Sequence, residues 1–389
     1  MDQAKSQPAG RPKSIRTKLK AFSVRAGIDL PFFLLILLIL GIGLIMLFSS
    51  SYAYALAYKK DSLYYVKRQL IWMLAGIVGM LGVSYFDYHK LHRFAIPVLA
   101  LSYALLAAVL VLPTHGNARR WIYIGSASFQ PSEITKFALI LIYAHLMSKY
   151  YRKMTKFLTG IIPYVLIFGS TAALLILEPH LSCTMIMFAI TALMMFFGGV
   201  KVRWFVLLLI ILGVIAYIAL FTDLVPYASD RIGVWRDPFG YPDKDKSHQT
   251  RQSLYAIGSG GLLGLGLGNS RQKYLYLPEP QNDFIFSVIC EELGLVGAAL
   301  ILALFGLLIW RGALIALRAP DKFGTLLAMG LISQVGLQVL LNVAVVSNTI
   351  PNTGISLPFF SYGGTSLVML LCEMGVVLSV SRSGRAEKT

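Results

Sequence analysis

The chain has 389 residues, of which 57% are hydrophobic and only 14% charged, with a formal net charge of +17. That balance excludes an ordinary soluble domain and describes a protein that crosses a bilayer several times. No basic stripe is interleaved with aromatics on a soluble module, so the charge is not the footprint of a nucleic-acid binder. Cys183, Cys290 and Cys372 lie far apart inside apolar runs, with neither metal-ligand spacing nor a disulfide framework.

Residues 1–27 are a polar arm carrying Lys5, Arg11, Lys13, Arg16, Lys18, Lys20 and Arg25, which reads as a cytoplasmic anchor. Apolar runs follow near 30–49, 69–86, 94–112, 133–148, 160–177, 181–198, 204–222, 284–310, 323–346 and 358–380. Each is close to the ~20 residues that a spanning helix needs. The first is about twice as long as a signal-peptide core, and we read it as an uncleaved span despite the cleavage-like Ala55-Leu56-Ala57. The expected fold is therefore an all-α polytopic membrane protein of about ten transmembrane helices. Its expected parts are the arm 1–27, a membrane domain 28–380 and a cytoplasmic tail 381–389. Lys90, Arg93, Lys149, Arg152, Lys153, Lys156, Lys201, Arg203, Arg311, Arg318 and Lys322 all fall in alternate connections. This one-sided pattern puts both termini in the cytoplasm and the 223–283 loop, between the seventh and eighth helices, outside.

A loop of about sixty residues exceeds what a connection requires and points to function. Tyr241 to His248 reads as a charged, hairpin-like segment. Ile257 to Asn269 is rich in glycine but lacks a Gly-Lys-Ser/Thr ending, so close backbone packing or a re-entrant segment is expected, not a nucleotide cradle. The loop closes on Glu279 and Asp283, four residues apart, with Pro278 and Pro280 stiffening the chain between them. Two readings stand for this acidic pair: chemistry at the lip of a membrane cavity, or a polar cap over the next helix.

Charges inside spans are costly unless they face a cavity or one another. Glu133 and Lys136, spaced i,i+3, share a helix face and form either a structural ion pair or part of a site. Adjacent Glu291 and Glu292 point about 100° apart, so they are not expected to face one partner, and at least one should meet a polar cavity or backbone donors. Glu373 is expected to reach water near the cytoplasmic end, and His145 to be a satisfied core histidine. Arg68, Arg119, Arg120 and Lys273, with Trp121 beside them, surround the two carboxylates in the outer connections. Such cations suit an anionic, diphosphate-bearing ligand, or anchor to headgroups.

Leu277-Pro278-Glu279 with Asp283-Phe284-Ile285-Phe286, then Glu291-Glu292-Leu293-Gly294, Gln130-Pro131-Ser132-Glu133 with Lys136, and Pro351 to Thr365 together resemble the SEDS family. These are the shape, elongation, division and sporulation proteins FtsW, RodA and SpoVE, and the likeness leans toward the FtsW/SpoVE branch. The resemblance implies a glycosyltransferase that polymerises lipid II into β-1,4 glycan strands at the outer membrane face, in division or cell-shape growth. It implies a class B penicillin-binding protein as partner, with other division or elongation proteins, membrane lipids around it and no nucleic acid. The family's essential aspartate falls on Asp283, and its Glu/Lys pair on Glu133 and Lys136. Glu279, Arg68, Arg119, Arg120, Trp121 and Lys273 are then the expected substrate-binding residues. A divalent cation, Mg²⁺ or Mn²⁺, would suit a diphosphate leaving group, although no ligand cluster for one is legible. Two departures stand out. Gln281-Asn282 precede Asp283 where His-Thr is common, and Pro179-His180 replace a frequent Pro-Asp. The competing readings are a lipid II flippase and a non-catalytic division scaffold.

Overall fold

The computed structural model describes residues 27–112, 120–124, 127–178, 180–204, 206 and 226–386. The basic arm and most of the 204–222 run lie outside these residues. Each of the other nine runs is helical: α1 Leu30–Lys59, α2 Tyr64–Tyr85, α3 Leu91–Val111, α4 Pro131–Lys149, α5 Ile162–Leu177, α6 Leu181–Phe197, and then α9 Ile285–Leu317, α10 Lys322–Val346 and α11 Gly364–Ala386. A two-stranded hairpin, β1 Ile122–Ile124 with β2 Ala127–Phe129, precedes α4. Among the described residues seven helices are long and apolar enough to cross a membrane; α4 and α6 are the two core helices that fall short.

The 223–283 connection is not structureless. It contains α7 Pro226–Arg236 and α8 Lys244–Gly260. The expected hairpin at 241–248 is instead the start of α8, because the Asp243 side chain accepts from the backbone N–H of Asp245 and Lys246 and caps the helix. Asp29 caps α1 and Asp321 caps α10 in the same way.

Helices α2 and α11 approach closely through glycine. A Cβ on Gly76 would come 2.5 Å from Leu371 Cδ1, and one on Gly375 would come 2.5 Å from the Met80 carbonyl. At the membrane face opposite the 223–283 connection, Asp29 accepts Nε (2.9 Å) and Nη2 (2.8 Å) of Arg311, and its own N–H donates to Ser381 Oγ (3.3 Å). That clasp joins the beginnings and ends of α1, α9 and α11.

The element that positions everything on the loop face is a break in α9. Gly294 takes φ 67° and ψ −171°, so the helix ladder stops and restarts there. The glycine-rich segment after α8 fills the gap with its own main chain. Leu265 and Gly266 N–H donate to the carbonyls of Glu291 and Glu292 (both 2.9 Å). Leu295 and Val296 N–H donate back to Gly261 (2.9 Å) and Leu262 (3.1 Å). The backbone groups that a broken helix would leave unpaired in an apolar setting are thereby satisfied. Approach this close tolerates no side chain: a Cβ on Gly264 would sit 2.2 Å from Glu292 O, and one on Gly260 2.0 Å from Cys290 O. The close-packing expectation for this segment holds.

Both glutamates of α9 are fully buried and reach the same turn. Glu291 accepts from Ser270 Oγ (2.5 Å) and Arg271 N (2.9 Å), whereas Glu292 accepts from Ser270 N (3.2 Å), Ser49 Oγ (2.7 Å) and Lys273 Nζ (2.9 Å). They do converge on one residue, contrary to the expectation from their 100° separation, because Ser270 offers its side chain to one and its backbone to the other. We expect Gly294→Ala to destabilise the chain by at least about 2 kcal/mol, since φ is positive and a Cβ would lie 2.3 Å from Gly264 N. Gly306→Ala, with nothing within 4 Å, should be neutral. Thermal unfolding of the two variants in detergent makes the comparison.

Candidate functional site

Lys273 and Glu292 carry the loop into position for the acidic pair. Leu277 is fully buried and roots the loop in the core, while Glu279 turns the chain with φ 44°. Asn282 N donates to the Glu279 carbonyl (3.0 Å), and Asn282 Nδ2 to Glu279 Oε2 (2.9 Å). The expected proline-stiffened loop is thus a tight turn that leaves Asp283 two residues before the start of α9, with Phe284 as the cap between them.

The last turns of α10 and the loop between α10 and α11 clamp this turn. Asn342 Nδ2 donates to the carbonyls of both Asp283 (2.7 Å) and Ile355 (2.6 Å). Ser361 Oγ donates to Asn282 O (2.7 Å), and Tyr362 N to Gln281 O (2.9 Å). Gln69 of α2 holds the far side, donating to Ser361 O (3.2 Å) and accepting from Gly363 N (3.3 Å). Gly354, at φ 68°, abuts the carboxylate itself; a Cβ there would come 3.1 Å from Asp283 Oδ2.

These loops enclose a cavity of about 450 Å³ on the loop face. Asp283, Glu133, Lys136, Arg68, Arg120 and Trp121 all line it, so the structure brings together six of the nine residues anticipated from the sequence. Glu133 and Lys136 pair at 2.9 Å on the first turns of α4, with the lysine almost wholly buried. Arg68 lies over the Tyr64 ring at 4.6 Å, an orientation that holds its guanidinium beside the cavity. Burial, and then the neighbouring Glu279, push the Asp283 carboxyl up to about 6; Arg120 and Arg231 pull the other way without prevailing.

Two anticipated residues are placed otherwise, and a third is not described. Lys273 is not a cavity cation. It is buried against Glu292, Ser49 Oγ (3.2 Å) and the Gly268 carbonyl (2.6 Å), because the nearest uncompensated carboxylate lies in α9 and not at the loop tip. Glu279 is exposed on the turn and does not line the cavity. Arg119 lies outside the described residues. Glu373 does not reach water either: it is 2% exposed and accepts from Gln334 Nε2 (2.8 Å). Helix α11 begins at Gly364 and runs to Ala386, which puts Glu373 in mid-span. His145 is satisfied as expected, through a 2.7 Å contact between its Nδ1 and that of His92.

The sequence reading missed Trp72 and Gln338 in the cavity wall and Asn342 beneath it. Gln334, Gln338 and Asn342 recur every fourth residue in an otherwise apolar helix, a polar stripe that signals a cavity-facing side. Among the described residues no three His, Cys, Asp or Glu side chains are grouped to hold a metal ion.

The family described as cell cycle proteins FtsW, RodA and SpoVE matches residues 29–386. Stage V sporulation protein E of Bacillus subtilis (strain 168) is 41% identical, over 92% of this chain and 98% of its own length. The "Probable peptidoglycan glycosyltransferase FtsW" of Geobacter sp. (strain M18) is 37% identical, over 91% and 97%. A chain of a peptidoglycan synthase complex, solved for the structural coordination of polymerization and crosslinking, superposes with a TM-score of 0.78 at 28% identity, covering 92% of this chain and 98% of that one. The rod shape determining protein RodA of Thermus thermophilus does so with a TM-score of 0.68 at 27% identity, covering 92% and 97%.

The buried pair gives a test independent of any assigned reaction. Glu133→Gln should strand the Lys136 charge and cost about 3 kcal/mol of stability. The swapped double variant Glu133→Lys/Lys136→Glu should recover part of that loss. Thermal unfolding across the four-protein cycle measures the coupling, and additive single effects would show that the pair does not act as one.

Proposed function

The chain belongs to the FtsW, RodA and SpoVE family of cell cycle proteins, and on that premise we propose that it is a peptidoglycan glycosyltransferase that polymerises lipid II. The observation that carries this reading is Asp283, a carboxylate held near neutrality in a cavity it shares with Arg68, Arg120 and Lys136. A base with a pKa close to the working pH and cations for a departing diphosphate are the two requirements of the reaction.

In the proposed step the 4-hydroxyl of a GlcNAc attacks the anomeric carbon of a MurNAc. Asp283 takes the hydroxyl proton as the new O–C1 bond forms. The C1–O bond to undecaprenyl diphosphate breaks, and its electron pair leaves with the diphosphate, facing Arg68 and Arg120. A single displacement inverts the α-linked donor to a β-1,4 product. Among the described residues no metal-ligand cluster is grouped, so a Mg²⁺ or Mn²⁺ ion would be held by the diphosphate itself, where it would supply charge neutralisation.

The one-sided Lys/Arg pattern supports an outward loop face with cytoplasmic termini, and so a site at the outer surface of the cytoplasmic membrane. The likeness to a chain of a peptidoglycan synthase complex supports a cross-linking partner, a class B penicillin-binding protein, beside it. Cysteines placed at Asp245, Thr155 and Arg318 check the orientation. The first should react with a membrane-impermeant reagent on intact cells, and reaction at Thr155→Cys would reverse the assignment.

Asp283→Asn keeps the side-chain shape but cannot accept a proton, so polymerisation of lipid II in detergent should fall by at least about 10². In the wild type the rate should decline as pH drops through about 6, because protonation removes the base, and should level off above it. A flippase needs no such base in detergent, where nothing is translocated. Normal polymerisation by Asp283→Asn would sink the catalytic assignment.

A further inference from the structure

We propose that His180 binds a sugar hydroxyl of the substrate in the cavity, resting on the polymerase reading for the identity of that sugar. His180 stands at the N-terminus of α6 and lines the same cavity as Asp283. Its side chain is 8% exposed, and Nδ1 is buried with no hydrogen-bond partner among the described residues. The other ring nitrogen is engaged, since Gln130 Nε2 lies 3.4 Å from His180 Nε2 and fixes the ring plane. A buried polar atom left without a partner costs about 1–3 kcal/mol, so a ligand that supplies one is favoured there.

The imidazole has company. Among the described residues Thr353 Oγ1 and Glu178 Oε1 are also buried without a hydrogen-bond partner, one next to and one two residues away from a cavity-lining residue. With His180 Nδ1 they make buried polar atoms at or beside the cavity lining that a ligand can pair. A polyhydroxylated ligand meets that need better than a lipid tail or a point charge. Arg120 acts electrostatically on Asp283, Glu178 and His180 alike and lines the cavity together with Asp283 and His180.

The chemistry favours a neutral contact. Burial, with Arg120 and Lys136 nearby, presses the His180 ring down to about 3, so it stays uncharged at any working pH. A ring this hard to protonate is a weak base beside Asp283 and not an additional cation for a diphosphate. It is a hydrogen-bonding group for an uncharged partner. A hydroxyl both donates and accepts, so an amide or a carboxylate at this position would also pair with it. That accommodates the aspartate that the SEDS pattern often carries here.

The test is binding of lipid II and of undecaprenyl diphosphate, which lacks both sugars, to the full-length protein in detergent. His180→Ala should weaken lipid II about 10-fold and leave undecaprenyl diphosphate unchanged. His180→Asn, which keeps a polar atom at the same reach, should hold lipid II within about 3-fold of wild type. Unaltered lipid II affinity in His180→Ala would overturn the proposal. So would equal losses for both ligands, or a loss that asparagine does not restore. Because binding needs no turnover, sugar-dependent binding lost in His180→Ala by a chain that fails to polymerise would refute the polymerase reading alone.

Discussion

The broken helix α9 is the constraint on which the loop face rests. A transmembrane helix interrupted at Gly294 exposes carbonyl and N–H groups where water is scarce, and only another backbone can approach closely enough to satisfy them all. The Gly260–Gly268 segment does so through four main-chain bonds. Everything downstream follows from that docking. The turn at Ser270 is delivered to two buried carboxylates, Lys273 neutralises one of them, and the chain from Leu277 is aimed at the cavity. Four glycines with positive φ in this short segment are a geometric demand and not a sign of looseness.

Two carboxylates on neighbouring stretches of chain end in opposite electrostatic states. Glu292 is fully buried but has a lysine ammonium at 2.9 Å, a serine hydroxyl and a backbone donor. Asp283 has no cation within ion-pair distance among the described residues, and its neighbours Arg120 and Arg231 do not outweigh desolvation and Glu279. The difference between an anchor and a candidate base is therefore one close cation. The clamp from Asn342 and Ser361 acts on the backbone of the Asp283 turn, which leaves the carboxylate oxygens to the cavity.

Much of this was legible in the chain, and the failures have definite causes. Spans were readable because hydropathy over some twenty residues needs no knowledge of neighbours. Glu133–Lys136 was readable because i,i+3 spacing is local geometry. Lys273 was misassigned because a lysine in a loop does not disclose which carboxylate it will meet, and Glu292 is nineteen residues away along the chain. Glu373 was misplaced because Pro358, Phe359 and Phe360 are apolar without being helical. Phe359 has φ 66°, and the helix starts six residues after the apolar run begins. His180 gave only its position in a motif; its free nitrogen depends on Gln130, fifty residues earlier.

The clasp at Asp29 has a consequence for biogenesis. The first helix leaves the ribosome before any other part of the core. Yet its cap residue is closed by Arg311 and Ser381, which lie 282 and 352 residues later, and its Ser49 waits 243 residues for Glu292. Until those late partners arrive, α1 is held only by lipid and its immediate successors. Insertion of the first span and completion of the core are thus separated in time by nearly the whole of translation, and a chain truncated before α11 would carry a first helix inserted but never locked.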